Sequence, residues 1–190
     1  MNNFEKALRN HIEQIVPLND EEFRFILSHF KLEKYNKNEV MIEEGSFVDN
    51  VYFVLSGLVK LIYTDGNAKQ NTVSFAMEDW WETDFEAYYT KSKSTLSLEC
   101  IEDTLVYSLS LENFEKLCSG LQKMERFFLR KSIAGHIGSQ RRILSFITSS
   151  ARERYEQLLG RNPSLLQRVP KSVLASYLGV SRETLSRLFS

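Results

Sequence analysis

Near the end of the chain, Arg182, Glu183 and Arg187 have the spacing to share one outward face of a short helix. A guanidinium can donate two parallel hydrogen bonds to guanine O6 and N7, and a carboxylate can accept from cytosine N4. Around them stand Lys171, Ser181, Thr184 and Ser186, an amine and three hydroxyls of the kind that bond phosphate oxygens. An Arg-Glu-x-x-x-Arg face is equally what a solvated helix laced by ion pairs presents. The elements that would hold these side chains must therefore decide between the two.

Those elements read clearly. Pro170 suits a helix start, with Val173, Leu174 and Leu178 on one inward side. Ala175 is small where two crossing helices must approach. Gly179 falls where a turn needs positive φ, and Val180 would plug the gap between helices. Ser181 is a good N-cap for a second helix that buries Leu185 and Leu188. The spacing predicts a helix-turn-helix, with the second helix over 182–189.

Charge is distributed accordingly. The whole chain carries −1, yet residues 141–190 hold nine Lys/Arg against three acids, +6, which leaves fifteen against twenty-two, −7, for the first 140. A basic tip on an acidic body suits a partner that is a polyanion and meets only the tip. The 43% hydrophobic content supports a packed core. The longest uninterrupted apolar run, Val51–Leu55, is far too short to span a bilayer, and the charged N-terminus lacks a signal-peptide core. A cytoplasmic protein with no membrane partner is expected. Two cysteines, Cys100 and Cys118, supply neither a disulfide framework nor a metal cluster.

Upstream, Phe4, Leu8, Ile12 and Ile15 recur at helical spacing. Asn19 with Glu22 three residues on reads as a capping box before a second helix with Phe23, Ile26, Leu27 and Phe30. From about Leu32 to Leu109 the period becomes two: Val51/Phe53/Leu55, Val59/Leu61/Tyr63, Val73/Phe75/Met77, Leu96/Leu98/Cys100 and Leu105/Tyr107/Leu109. Short strands punctuated by Gly45-Ser46, Ser56-Gly57 and Asp65-Gly66-Asn67 predict an antiparallel barrel or roll. A short helix to Gly120 follows, then one of about 26 residues, roughly 40 Å long, and a further helical stretch ended by Gly160. Gly135 and Gly138 leave two readings open, close approach of another helix or a local kink. Asn162-Pro163 and Val169-Pro170 act as breakers. The expected architecture is α+β: an N-terminal antiparallel β-roll (double-stranded β-helix-like) with flanking helices, a long dimerisation helix and an all-α helix-turn-helix. The division falls at 1–140 and 141–190.

The segment Val180-Ser181-Arg182-Glu183-Thr184-Leu185-Ser186-Arg187-Leu188 closely resembles the recognition helix of the Crp/Fnr family of regulators. Gly45, Ser56-Gly57 and the Leu58-to-Tyr63 strand look like that family's glycine-punctuated, cyclic-nucleotide-binding-type roll. The resemblance implies a homodimer on a two-fold-symmetric site in double-stranded DNA. Arg182, Glu183 and Arg187 would read bases, Lys171, Ser181, Thr184 and Ser186 would hold the backbone, and RNA polymerase is a candidate further partner. With Ser190 directly after the motif and little room before Val169, contacts from a β-hairpin wing are not expected.

The effector is left open. Relatives that bind cyclic nucleotides hold the phosphate with a Gly-Glu turn and an Arg-Ser pair. Here Trp80-Trp81 precede Glu82-Thr83-Asp84 at the turn, and Lys93-Ser94 stand at the pair. Asp79, Glu82, Asp84 and Glu86 would repel a phosphate, so a cyclic nucleotide is disfavoured. Trp80, Trp81, Glu82, Thr83, Lys93 and Ser94 remain a candidate pocket for another ligand; the alternative is that the aromatics fill the roll or its hinge with the long helix. Two cysteines disfavour an iron–sulphur cluster. Haem stays open, although His136 is expected on a helix surface. The rival readings are a cupin-like metalloenzyme, which lacks histidines on the strands, and a β-roll sensory module that regulates a partner protein without touching DNA.

Overall fold

The structure, a computed structural model, describes residues 1–188, the side chain of Leu188 excepted. The expected burial of Leu188 and the last position of the 182–189 helix lie outside the described residues.

Two capped helices open the chain, α1 (Asn3–Glu13) and α2 (Asp20–Leu27). Each begins with a capping box, Asn2 with Glu5 and Asn19 with Glu22, so two orphan donors per helix are satisfied reciprocally. Leu8, Ile12, Phe23 and Ile26 seal one end of the roll.

Eight strands follow: β1 (Lys31–Tyr35), β2 (Val40–Ile42), β3 (Asn50–Ser56), β4 (Val59–Thr64), β5 (Gln70–Ala76), β6 (Trp81–Glu82), β7 (Ser97–Cys100) and β8 (Thr104–Ser110). They form two four-stranded antiparallel sheets, ordered β1-β8-β3-β6 and β2-β7-β4-β5. The predicted roll is present. Strict alternation is not. Val51 to Val54 are all buried, because β3 lies inside its sheet and is covered on both faces. In β5 a bulge opposite Leu61 and Ile62 shifts the register. It turns Val73 outward and brings Thr72 and Phe75 inward, so Val73 and Phe75 do not share the face that period two assigned them.

Helix α3 (Phe85–Thr90), between the candidate pocket residues Thr83 and Lys93, was not legible in the strand pattern. After β8 come α4 (Leu111–Gly120) and α5 (Lys123–Thr148), 26 residues as expected. α5 runs unbroken through Gly135 and Gly138, and among the described residues nothing from another element stands within 4 Å of where a Cβ on either would lie. The expected division at residue 140 falls inside this helix. Then come α6 (Ala151–Arg161), α7 (Pro163–Arg168), α8 (Lys171–Leu178) and α9 (Arg182–Leu188). Helix α7 occupies what reads in sequence as a breaker-framed gap, with Pro163 in its first turn.

Two apolar clusters hold the molecule. One fills the roll and reaches α1, α2, α4 and the start of α5. The other joins Leu58, Phe75 and Ile101 of the roll to Leu158, Leu165, Val169, Leu174, Ala175, Leu178 and Leu185 of the C-terminal helices. The C-terminal helices thus pack on the roll.

The β3–β4 turn depends on Gly57, at φ +105°, where a Cβ would stand 2.5 Å from Thr104 Oγ1 and 2.6 Å from the Asp103 carbonyl oxygen. Gly57→Ala combines backbone strain with collision, and we expect it to cost more than about 2 kcal/mol. Chemical denaturation checks this: an unchanged midpoint would contradict the strained, crowded turn.

Candidate nucleic-acid interface

The helix-turn-helix forms for local reasons. Gly179 ends α8 in the left-handed region at φ +70°, and Val180 N–H donates back to the Ala175 carbonyl at 3.0 Å. Ser181 Oγ accepts from Thr184 N–H at 3.1 Å, capping α9. Leu174, Ala175, Leu178 and Leu185 are buried between the helices, with Val180 half-buried beside them. Gly179 is also a close-approach point, since a Cβ there would meet Phe146 of α5 at 2.8 Å.

Docking Leu185 inward fixes the opposite face. Arg182, Glu183, Ser186 and Arg187 are exposed, with Ser181 and Lys171 also at the surface and Thr184 half-buried. The Glu183 carboxyl is held below the ordinary carboxylate range by its own backbone N–H at the helix start and by Ser181. It is therefore an ionised acceptor at neutral pH.

Charge counting overstated the basic tip. Arg142, Arg154 and Arg168, three of the nine C-terminal cations, face the protein. Arg142 lies 3.7 Å over the Tyr177 ring and donates to the Tyr177 and Thr72 carbonyls at 3.0 and 3.2 Å. Arg154 stacks on Phe146 at 4.8 Å. It donates twice to the Leu178 carbonyl, at 3.1 and 2.8 Å, one residue before the turn. Arg168 is bonded to the roll. Arg141, Arg152, Arg161, Lys171, Arg182 and Arg187 are exposed, Arg152 beside Glu156 on its own helix.

Most of the candidate effector residues are engaged by the protein itself. Trp81 packs among Phe30, Phe53, Phe127 and Phe128, and its Nε1 donates to His11 Nε2 at 3.1 Å. It fills the hinge between roll and long helix. His11 is itself in the core, and burial pulls its imidazole down to about 4. Trp80 is half-buried. Glu82 is buried, accepting from Ser74 Oγ at 2.6 Å and from Thr83 N–H at 3.2 Å. Thr83 Oγ1 donates to the Asn50 carbonyl. Asp84 caps α3 through Ala87 N–H at 3.1 Å and accepts from Ser94 Oγ at 2.8 Å. Lys93 points to solvent.

A cyclic nucleotide therefore does not fit. Its phosphate needs donors, and the hydroxyl and helix start that could supply them are engaged by the Asp84 carboxylate. Beside it lies a second buried acid, and neither carboxylate is bonded to a lysine or arginine. Among the described residues no group of His, Cys, Asp and Glu stands ready to hold a metal, and no helix is long and apolar enough to cross a membrane.

Residues 32–120 match the model of the cyclic nucleotide-binding domain family. The transcriptional regulatory protein Btr of Bordetella pertussis is 24% identical over 179 residues, 84% of this chain and 73% of that protein. Among solved structures, FixK2 from Bradyrhizobium japonicum superposes with a TM-score of 0.72 at 20% identity, covering 84% of this chain and 82% of that one. A transcriptional regulator of the Crp/Fnr family from Eubacterium rectale superposes at 0.70 with 13% identity, over 90% and 82%. The folds are shared over most of each chain.

Burial raises the Glu82 carboxyl from 4.5 to about 7. A group protonated more readily in the folded state contributes its full stability below the unfolded value and loses it as pH rises through the folded one. Stability should therefore fall between about pH 4.5 and about pH 7 on this account. Glu82→Gln should flatten the slope and raise the unfolding midpoint at pH 8 relative to the parent protein. Parallel pH profiles for the two proteins would show Glu82 to be ionised and accommodated instead.

Proposed function

We propose, from the premise that this chain is a Crp/Fnr-type transcription regulator, that it binds double-stranded DNA as a homodimer and inserts α9 into the major groove. The carrying observation is the outward set on α9: Arg182, Glu183 and Arg187 exposed while Leu185 anchors the helix from behind. The first turn of such a helix reaches base edges, so Arg182 and Glu183 take the specific contacts and Arg187 extends them one turn on. Lys171, Ser181, Thr184 and Ser186 surround this face and supply phosphate contacts. In this reading residues 1–140 form the sensing and pairing part, and residues 141–190 form the reading part.

Pairing has a visible basis in α5. Leu129, Ile133, Ile137, Leu144 and Ile147 recur at three-, four- and seven-residue spacing and stay 40–76% exposed. Such a stripe on one helix suits a second copy of itself, related by a two-fold axis. The two α9 helices then meet successive major grooves roughly 34 Å apart.

Arg182→Ala should cost on the order of 1–3 kcal/mol at a sequence selected by the protein from random duplexes, with relaxed base preference at one position. Equal losses on selected and random duplex would assign Arg182 to the backbone. Binding to random duplex should weaken steeply with salt. Salt-independent absence of binding would favour the partner-regulating module.

The pairing itself is checked by sedimentation. The parent chain should run as a dimer at micromolar concentration and Ile133→Asp/Ile137→Asp as a monomer, since each places a charge on the seam. A monomeric parent would remove the basis for a two-fold site.

A further inference from the structure

One side chain ties the C-terminal helices to the roll more heavily than any other. Arg168, the last residue of α7, donates through Nη1 to Glu78 Oε2 at 2.7 Å and through Nε to Glu102 Oε1 at 3.0 Å. Its Nη2 reaches Gly57 O at 2.8 Å, Glu78 Oε1 at 3.0 Å and Glu102 Oε2 at 2.7 Å. Glu78 Oε1 in turn accepts from Gly57 N–H at 2.9 Å. Two carboxylates from separate loops therefore converge on one planar fork. The same fork and its partner carboxylate hold both backbone groups of the turn that needs glycine.

Stability is not all that this arrangement supplies. Arg168 keeps 24% of its side-chain surface exposed, and Glu78 and Glu102 keep 41% and 35%. Solvent and salt screen each pair at that exposure. The arrangement also supplies geometry. The apolar cluster between roll and C-terminal helices attracts without preferring an angle, whereas a guanidinium held by two carboxylates and a carbonyl tolerates little rotation. Nearby bonds agree with one fixed orientation: Thr72 N–H on β5 donates to Ser176 Oγ of α8 at 2.8 Å, and that hydroxyl donates to the Gln70 carbonyl at 3.1 Å. The contact also leaves Lys171, Arg182 and Glu183 exposed, so it does not cover the face assigned to DNA.

We infer that Arg168 is a positioning residue for DNA reading, setting the angle at which the helix-turn-helix leaves the roll so that paired α9 helices meet their grooves in register. The inference rests on the DNA-reading assignment above. Arg168 does not touch the nucleic acid; it acts through Glu78, Glu102 and Gly57.

The test uses the full chain and a duplex selected from a random pool by the parent protein. Arg168→Ala should bind that duplex roughly tenfold more weakly, a shift of about 1.4 kcal/mol. Binding to random duplex and its salt dependence should not change. Arg168→Lys should not restore the loss, because a point charge cannot hold two carboxylates and a carbonyl in one plane. Glu78→Gln/Glu102→Gln, which leaves the C-terminal helices unaltered, should reproduce it and keeps the test standing if Arg168→Ala folds poorly. Unchanged affinity in these variants would overturn the inference. So would tighter binding, which would make the contact a clasp that holds the protein off DNA. An equal fall on both duplexes with a salt slope reduced by about one would place Arg168 on a phosphate, against the inference. Failure of the parent protein to select any sequence would sink the DNA-reading assignment, and the inference with it.

Discussion

The arrangement depends on an apolar cluster drawn from the roll and from the C-terminal helices. Leu58, Phe75 and Ile101 come from the roll, and Leu158, Leu165, Leu174, Leu178 and Leu185 from the C-terminal helices. The four short helices α6–α9, within residues 151–188, bury little surface among themselves. Against the roll each buried leucine adds about 1.5–3 kcal/mol, and the helix-turn-helix acquires a fixed base. Its outward face follows, because once Leu185 is inward, Arg182 and Glu183 have only solvent to face.

That shared core explains why so many guanidiniums lie within the protein. A helix packed on a sheet leaves carbonyls at its ends and along the crossing strand. Arg142 and Arg154 cap the Tyr177, Thr72 and Leu178 carbonyls while their planes stack on Tyr177 and Phe146. These side chains brace the turn that aims α9. The C-terminal cations thus divide between those that brace the protein internally and those that set the field at its surface.

The roll matches the cyclic nucleotide-binding domain in frame and differs from what a cyclic nucleotide needs in its interior. Where a nucleotide phosphate would need donors, Asp84 caps α3 and takes the Ser94 hydroxyl, with Glu82 buried beside it. Trp81, His11 and the α5 phenylalanines close the hinge with aromatic packing. The frame and the ligand chemistry are separable: the strands fix the shape, and a few side chains decide what that shape can hold.

The sequence by itself determined what short-range chemistry controls. The capping box at Asn19, the left-handed Gly179, the Ser181 cap and the 26-residue helix are each specified within a few positions, and all were legible. The existence of the strands was legible too, from their period. Tertiary structure alone decided the β5 bulge that exchanges Val73 for Thr72, the formation of α3 and α7, and which arginines face inward. The reason is distance along the chain. Arg168 finds its partners 66, 90 and 111 residues away, and nothing local to any of them distinguishes a guanidinium that will reach a carboxylate from one that will reach solvent.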